Sequence, residues 1–182
     1  FIKLADRLHN MRTISAMSTT ARRRISNETL EIYAPIADRL GMHTLRLELE
    51  ELGFANLYPN RYRVLQQRMR SLAKNRKEII DSVSDALKKR LNQAGIPCRV
   101  EGREKPIYSV YLKMRDKSLS FDEVYDLYAF RIITHSESHC YQSLGVVHSL
   151  YKPRPGSFKD YIALPKPNGY QSLHTVLTSP YN

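Results

Sequence analysis

Asp160-Tyr161-Ile162-Ala163-Leu164-Pro165-Lys166-Pro167-Asn168-Gly169-Tyr170-Gln171-Ser172-Leu173-His174-Thr175 is the stretch on which the rest of the chain is read. Asn168-Gly169 predicts a tight hairpin turn, because both residues tolerate φ > 0. The residues after it alternate: Tyr170, Ser172 and His174 fall on one face of a strand, and Leu173, Thr175 and Leu177 on the other. One face is therefore buried, and the other offers a ring, a hydroxyl and an imidazole. Lys159 and Lys166 lie close by in sequence. Ammonium groups beside an aromatic platform suit a nucleotide, the cations for phosphates and the ring for a base. The alternative is a half-buried hairpin with incidental lysines.

Working towards the N-terminus, Tyr141, Leu144 and His148 predict a helix stopped by Pro153-Arg154-Pro155-Gly156, and residues 127–134 predict a buried strand. Pro106 opens another helix, with Ile107, Val110, Tyr111 and Met114 towards the core. Residues 98–101 read as a short strand. Leu65, Met69, Leu72, Ile79, Ile80, Val83, Leu87 and Leu91 keep the period of one long amphipathic helix, ended by Gly95-Ile96-Pro97. Tyr58-Pro59-Asn60 separates it from a helical segment over residues 1 to about 57. There Leu4, Leu8 and Met11 form the packing stripe, and Asp6, Asn10 and Thr13 share a different face. The second Ala-Asp-Arg-Leu, at residues 37–40, reads as coincidence within a helix. Helices alternating with strands indicate an α+β or α/β domain.

The chain has 182 residues, 42% hydrophobic and 26% charged, enough to bury a core in one or two domains. No apolar run approaches the ~20 residues of a membrane span. Phe1-Ile2-Lys3 lacks the regions of a signal peptide. Cys98 and Cys140 show no metal spacing and read as reduced thiols of a cytoplasmic protein. A formal net charge of +11 predicts anionic partners without choosing among nucleotides, RNA and acidic lipid. Runs such as Arg22-Arg23-Arg24 are equally the solvated face of a helix.

Two constellations carry further chemistry. Lys105, Ser109 and Lys113 repeat every four residues opposite the apolar stripe of the helix after Pro106, and Arg103 just precedes them. Three cations and a hydroxyl at a helix start could hold a triphosphate, although surface lysines have the same pattern. Asp126 begins an apolar strand, where an uncompensated carboxylate is costly. A salt bridge to Arg131 is one resolution and a hard cation another.

Residues 160–175 closely resemble the G-loop region of RelA/SpoT-type enzymes, which make and break guanosine tetra- and pentaphosphate, (p)ppGpp, the stringent-response alarmones. The likeness is long and nearly gap-free. It reaches Lys3-Leu4-Ala5-Asp6-Arg7-Leu8-His9-Asn10-Met11-Arg12-Thr13, which looks like the last metal-ligand motif of that family's HD-type hydrolase domain. The resemblance implies an α+β chain. Residues 1–57 would be the last HD helices and a helical connector. Residues 58–182 would be a nucleotidyltransferase-like, mixed-sheet synthetase domain, truncated at its C-terminus and built on a mostly central sheet.

The activity so implied is transfer of pyrophosphate from ATP to the 3′-hydroxyl of GDP or GTP. In the parent protein, Mn²⁺-dependent hydrolysis of the 3′-pyrophosphate accompanies it. By resemblance Arg103 stacks on the adenine of ATP, and Lys105, Ser109 and Lys113 serve its phosphates. Asp126 is the catalytic carboxylate that holds Mg²⁺. Tyr170 stacks on the guanine of GDP or GTP, with Lys159, Lys166, Asn168 and His174 lining the same site. Asp6 is a Mn²⁺ ligand of the hydrolase, and Asn10 and Thr13 contact its guanosine nucleotide. Ribosome or regulatory-protein contacts would run through C-terminal domains that are not in this sequence.

The resemblance has two departures. Bifunctional members usually carry Arg-x-Lys-Asp where this chain has Ser157-Phe158-Lys159-Asp160, so the arginine is missing, and Ser157→Arg in a full-length parent is expected to raise synthesis and leave hydrolysis largely unchanged. The family's catalytic glutamate falls after Asn182, and its His and His-Asp ligands fall before Phe1. The sequence thus reads as a fragment, inactive alone in both reactions. The rival reading is a non-catalytic nucleotide- or RNA-binding module with degenerate sites, distinguished by a steep salt dependence of RNA affinity.

Overall fold

The computed structural model describes residues 1–71, 73–124 and 127–178. Two compact units emerge: residues 1–71 with 106–123, and residues 72–105 with 124–182. These cut the chain at other places than the division at residue 57 drawn from sequence.

The first unit is helical: α1 (Ile2–Arg12), α2 (Thr19–Glu28), α3 (Ala34–Arg39), α4 (His43–Leu57), α5 (Pro59–Ser71) and α7 (Ile107–Lys117). Leu4 and Met11 of the expected α1 stripe are buried with Ile14, Ala34, Ala37 and Leu49. Two arginines fix α1. Arg7 pairs with Glu28 at 2.9 Å, and its guanidinium lies 4.0 Å from the Tyr33 ring centroid. Arg12 grips both carboxylate oxygens of Glu48 on α4, at 2.6 and 2.9 Å. The planar fork of arginine suits such two-point contact. The backbone forms a π-turn over Thr29–Tyr33, just before Pro35, whose missing N–H cannot continue the regular helical ladder. A second cluster buries Phe54, Leu65 and Tyr111, with the Phe54 and Tyr111 rings stacked at 4.6 Å. The tyrosine and valine of the expected α7 stripe, Val110 and Tyr111, are buried in this unit.

The second unit contains α6 (Ala73–Gln93), β1 (Cys98–Glu104), β2 (Tyr128–Thr134), α8 (Glu137–Leu150) and four short strands: β3 (Lys152–Pro153), β4 (Lys159–Asp160), β5 (Leu173–His174) and β6 (Leu177–Thr178). β1 and β2 pair antiparallel from Cys98↔Thr134 to Glu104↔Tyr128. Val83, Leu87 and Leu91 of α6 pack with Ile96, Val100 and Val147. Gly102 is required by this packing: a Cβ there would stand 2.4 Å from Ile80 Cγ2 and 3.2 Å from a Phe130 ring carbon.

The α+β class agrees with the sequence reading, and several details differ. The long amphipathic helix is described as α5 and α6, with Leu72 outside the described residues. The strand over 127–134 is half-buried rather than buried. On α8 the buried positions are Ser143 and Val147, while Tyr141 faces out and donates to Asp160 Oδ2 at 2.9 Å. Among the described residues there is no single central sheet: all strand pairs are antiparallel, in three two-stranded ladders. The strand expected over 170–178 is split into β5 and β6, which pair with β4 and β3. No helix among the described residues is long and apolar enough to cross a membrane.

Gly102→Ala is expected to destabilise the protein by about 1–3 kcal/mol, the usual cost of overpacking, because a branched carbon of Ile80 must move. Denaturant titration against the unmodified protein measures it, and unchanged stability would show that the α6–β1 contact is looser than described.

Candidate functional site

The site is built on the hairpin that joins β4 to β5. Lys159 pairs with His174 and Asp160 with Leu173. Residues directly opposite in an antiparallel pair share a face, so Lys159 and His174 are neighbours by register. Tyr161 continues the pairing by donating its N–H to Ser172 O at 2.9 Å. The turn beyond it differs from a two-residue Asn-Gly hairpin. Gly169 N donates to Lys166 O at 2.9 Å, and Lys166 N to Tyr170 O at 3.3 Å. Pro167 and Asn168 are therefore the central residues, and only Gly169 has positive φ, at 74°. Proline at the first central position and glycine after the turn suit this three-residue loop. Asn168 Oδ1 accepts from Tyr170 N at 3.1 Å, so the amide shapes the turn.

Asp160 also acts on the backbone. Its Oδ1 accepts from Ala163 N at 2.8 Å and Ile162 N at 2.9 Å. The Ala163 N–H first, then the Tyr141 hydroxyl and the Ile162 N–H, hold its carboxyl below the usual range. A carboxylate used in this way fixes the start of the loop that carries Lys166.

The loop folds Lys166 back over the aromatics. Its Nζ lies 5.2 Å from the ring centroid of Tyr161 and 5.2 Å from that of Tyr170. His174 stands edge-on to both tyrosines, at 5.1 Å from Tyr161 and 5.8 Å from Tyr170. Tyr170 Oη and His174 Nε2 are hydrogen-bonded at 2.7 Å. Desolvation, then the charges of Lys166 and Lys159, push the His174 pKa down. A neutral imidazole, two ring faces and two ammonium groups are thus gathered within one hairpin. That set can stack a planar base and neutralise phosphate charge. Tyr161 was not singled out from sequence. Its signal was weak, since only the slipped register places it beside His174.

The other candidates are placed as follows. Arg103 lies on β1, exposed, opposite Ala129. Lys105 donates its backbone N–H to Leu127 O at 3.0 Å, prolonging the β1–β2 ladder. Ser109 and Lys113 are on α7, four residues apart and half-buried. Arg103 and Lys105 belong to the second unit and Ser109 and Lys113 to the first. Asp126 lies outside the described residues. On α1, Asn10 Nδ2 donates to Asp6 Oδ2 at 3.4 Å, and Thr13 Oγ1 to His9 O at 3.0 Å. No group of three or more His, Cys, Asp or Glu among the described residues could hold a metal ion. One exposed carboxylate beside an amide does not by itself fit Mn²⁺, which needs several nitrogen or oxygen donors.

Two families match the sequence: one described as "Region found in RelA / SpoT proteins", over residues 102–182, and an HD domain, over residues 1–43. The chain is similar to the bifunctional (p)ppGpp synthase/hydrolase SpoT of Escherichia coli (strain K12), 57% identical over 99% of this chain and 26% of that protein. It is 55% identical, over 99% of itself and 26% of the relative, to a guanosine-3′,5′-bis(diphosphate) 3′-pyrophosphohydrolase of Vibrio cholerae. A GTP pyrophosphokinase of Myxococcus xanthus is 45% identical over 98% of this chain and 24% of its own length. The chain thus spans about a quarter of the length of these curated relatives.

His174 is expected to titrate below the ordinary histidine range, and Lys166→Met to move it up by removing one of the two charges that depress it. NMR titration of the imidazole reads both. Because the folded state binds this proton less readily than the unfolded state, stability should rise with pH between the depressed folded value and the ordinary histidine pKa. A His174 midpoint that does not respond to Lys166→Met would contradict the described geometry.

Proposed function

We propose that this chain, which belongs to the RelA/SpoT-type family, binds a guanine nucleotide on the Tyr161–Tyr170–His174 cluster as part of a cytoplasmic alarmone enzyme. The observation that carries the reading is Lys166, poised over two tyrosine rings beside a histidine whose proton affinity is lowered. The guanine of GDP or GTP stacks on Tyr170, and Lys159 and Lys166 meet its phosphates. Arg103, Lys105, Ser109 and Lys113 serve ATP, with Asp126 as the carboxylate for Mg²⁺. The reaction is transfer of pyrophosphate from ATP to the ribose 3′-hydroxyl, with AMP leaving. Such transfer depends on alignment and on neutralising phosphate charge, which lysines and arginine supply without a covalent nucleophile.

The relatives' names support alarmone metabolism in both directions. For the hydrolytic direction, Asn10 and Thr13 would contact the (p)ppGpp nucleoside. Asp6 would give one oxygen to Mn²⁺, and the remaining ligands must come from outside the described residues.

Two tests follow from the stacking geometry. Tyr170→Ala is expected to weaken GDP binding by about 1–3 kcal/mol, the scale of base stacking on an aromatic side chain. Tyr170→Phe should lose less, since it keeps the ring and gives up the hydroxyl that bonds His174. Calorimetry compares the variants, and equal losses would assign the affinity to the hydroxyl instead. Bound GDP should also raise the His174 midpoint, because phosphate offsets Lys159 and Lys166. A midpoint unmoved at saturation would place the nucleotide elsewhere.

A further inference from the structure

Ser157 stands between two ladders that do not share a register. From Pro153 to Lys159 the chain advances six residues, while its partner advances three, from Leu177 to His174. The surplus is taken up in a turn with Gly156 at φ 70°. Arg154 N still reaches Val176 O at 2.8 Å, after which the backbone ladder stops until Lys159. The Ser157 hydroxyl fills the gap. It donates to Arg154 O at 2.6 Å and accepts from Val176 N at 3.2 Å, with Val176 O at 3.3 Å. On the adjacent residue, Thr175 Oγ1 bonds His148 Nε2 of α8 at 3.0 Å.

We propose that Ser157 is a positioning residue for the guanine-nucleotide site: its hydroxyl splices the β3–β6 ladder to the β4–β5 ladder and so holds Lys159 opposite His174. The splice needs a group that both donates and accepts. A hydroxyl does both, whereas a guanidinium has five donors and no acceptor. Arginine at this position would leave Val176 N without its partner. The proposal predicts the opposite of the expectation drawn from sequence, that Ser157→Arg in a full-length parent supplies a missing charge and raises synthesis.

The inference rests on the proposed function only for its ligand; the splice itself is read without one. In the unmodified protein Val176 N–H should exchange slowly, although it belongs to no backbone ladder. Ser157→Ala and Ser157→Arg should speed that exchange roughly fivefold and Ser157→Thr should not, as expected for loss or retention of one hydrogen bond. The His174 midpoint should rise in the Ala variant, as Lys159 leaves its place, and stay put in the Thr variant. GDP affinity should fall roughly fivefold with Ala and recover with Thr, with ATP affinity unchanged. Rapid Val176 exchange in the unmodified protein would overturn the splice, even if Ser157→Ala failed to fold. Altered exchange with an unmoved His174 midpoint, or with unchanged GDP affinity, would reduce Ser157 to a structural residue and overturn its positioning role. If the unmodified protein binds no GDP, the nucleotide assignment fails, and the exchange and His174 readouts still decide the splice.

Discussion

Between β3 and β4 the chain must make up three residues against a partner strand that has none to spare. An antiparallel ladder cannot absorb such a surplus without leaving backbone groups unpaired, and unpaired groups away from water are costly. Here the turn at Gly156, the Ser157 hydroxyl and the Arg154–Val176 bond share the task. The arrangement of the candidate site depends on that solution. Were the register uncorrected, Lys159 would face a different residue, and Tyr161 would not lie beside His174.

Side chains that look like ligands in this segment divide into two groups. Asp160 Oδ1 and Asn168 Oδ1 accept from backbone N–H groups of their own loop, and Asp160 Oδ2 from the Tyr141 hydroxyl. Tyr161, Lys166, Tyr170 and His174 instead meet one another through ring faces, edges and one short hydrogen bond. The first group makes the second possible: a short polar side chain that satisfies nearby amides holds a loop in one shape, so the lysine can stay over the rings.

Much of the helical framework was legible in the sequence because its signals are local. Pro59 after Leu57, Gly95 after Gln93 and Pro106 before Ile107 mark ends that the structure keeps. The α1 and α7 stripes were read correctly at Leu4, Met11, Val110 and Tyr111. What failed depends on pairing between distant segments. Alternation after Gly169 suggested one continuous strand, yet β5 and β6 have different partners because of an insertion on the other side. A hydrophobic count for α8 was drawn to Tyr141, whose hydroxyl is instead used by Asp160. Lys159, Lys166, Tyr170 and His174 stood out in the sequence and lie on one hairpin, whereas Tyr161 and the splice by Ser157 did not stand out, since neither has a composition or spacing of its own.

The central claim is that guanine lies against the Tyr161–Tyr170–His174 cluster, and photolabelling with 8-azido-GDP tests it most directly. After irradiation and proteolysis, the label should be found within residues 159–174 and be competed away by GDP but not by ATP. Label confined to other peptides, or removed equally well by ATP, would contradict the account.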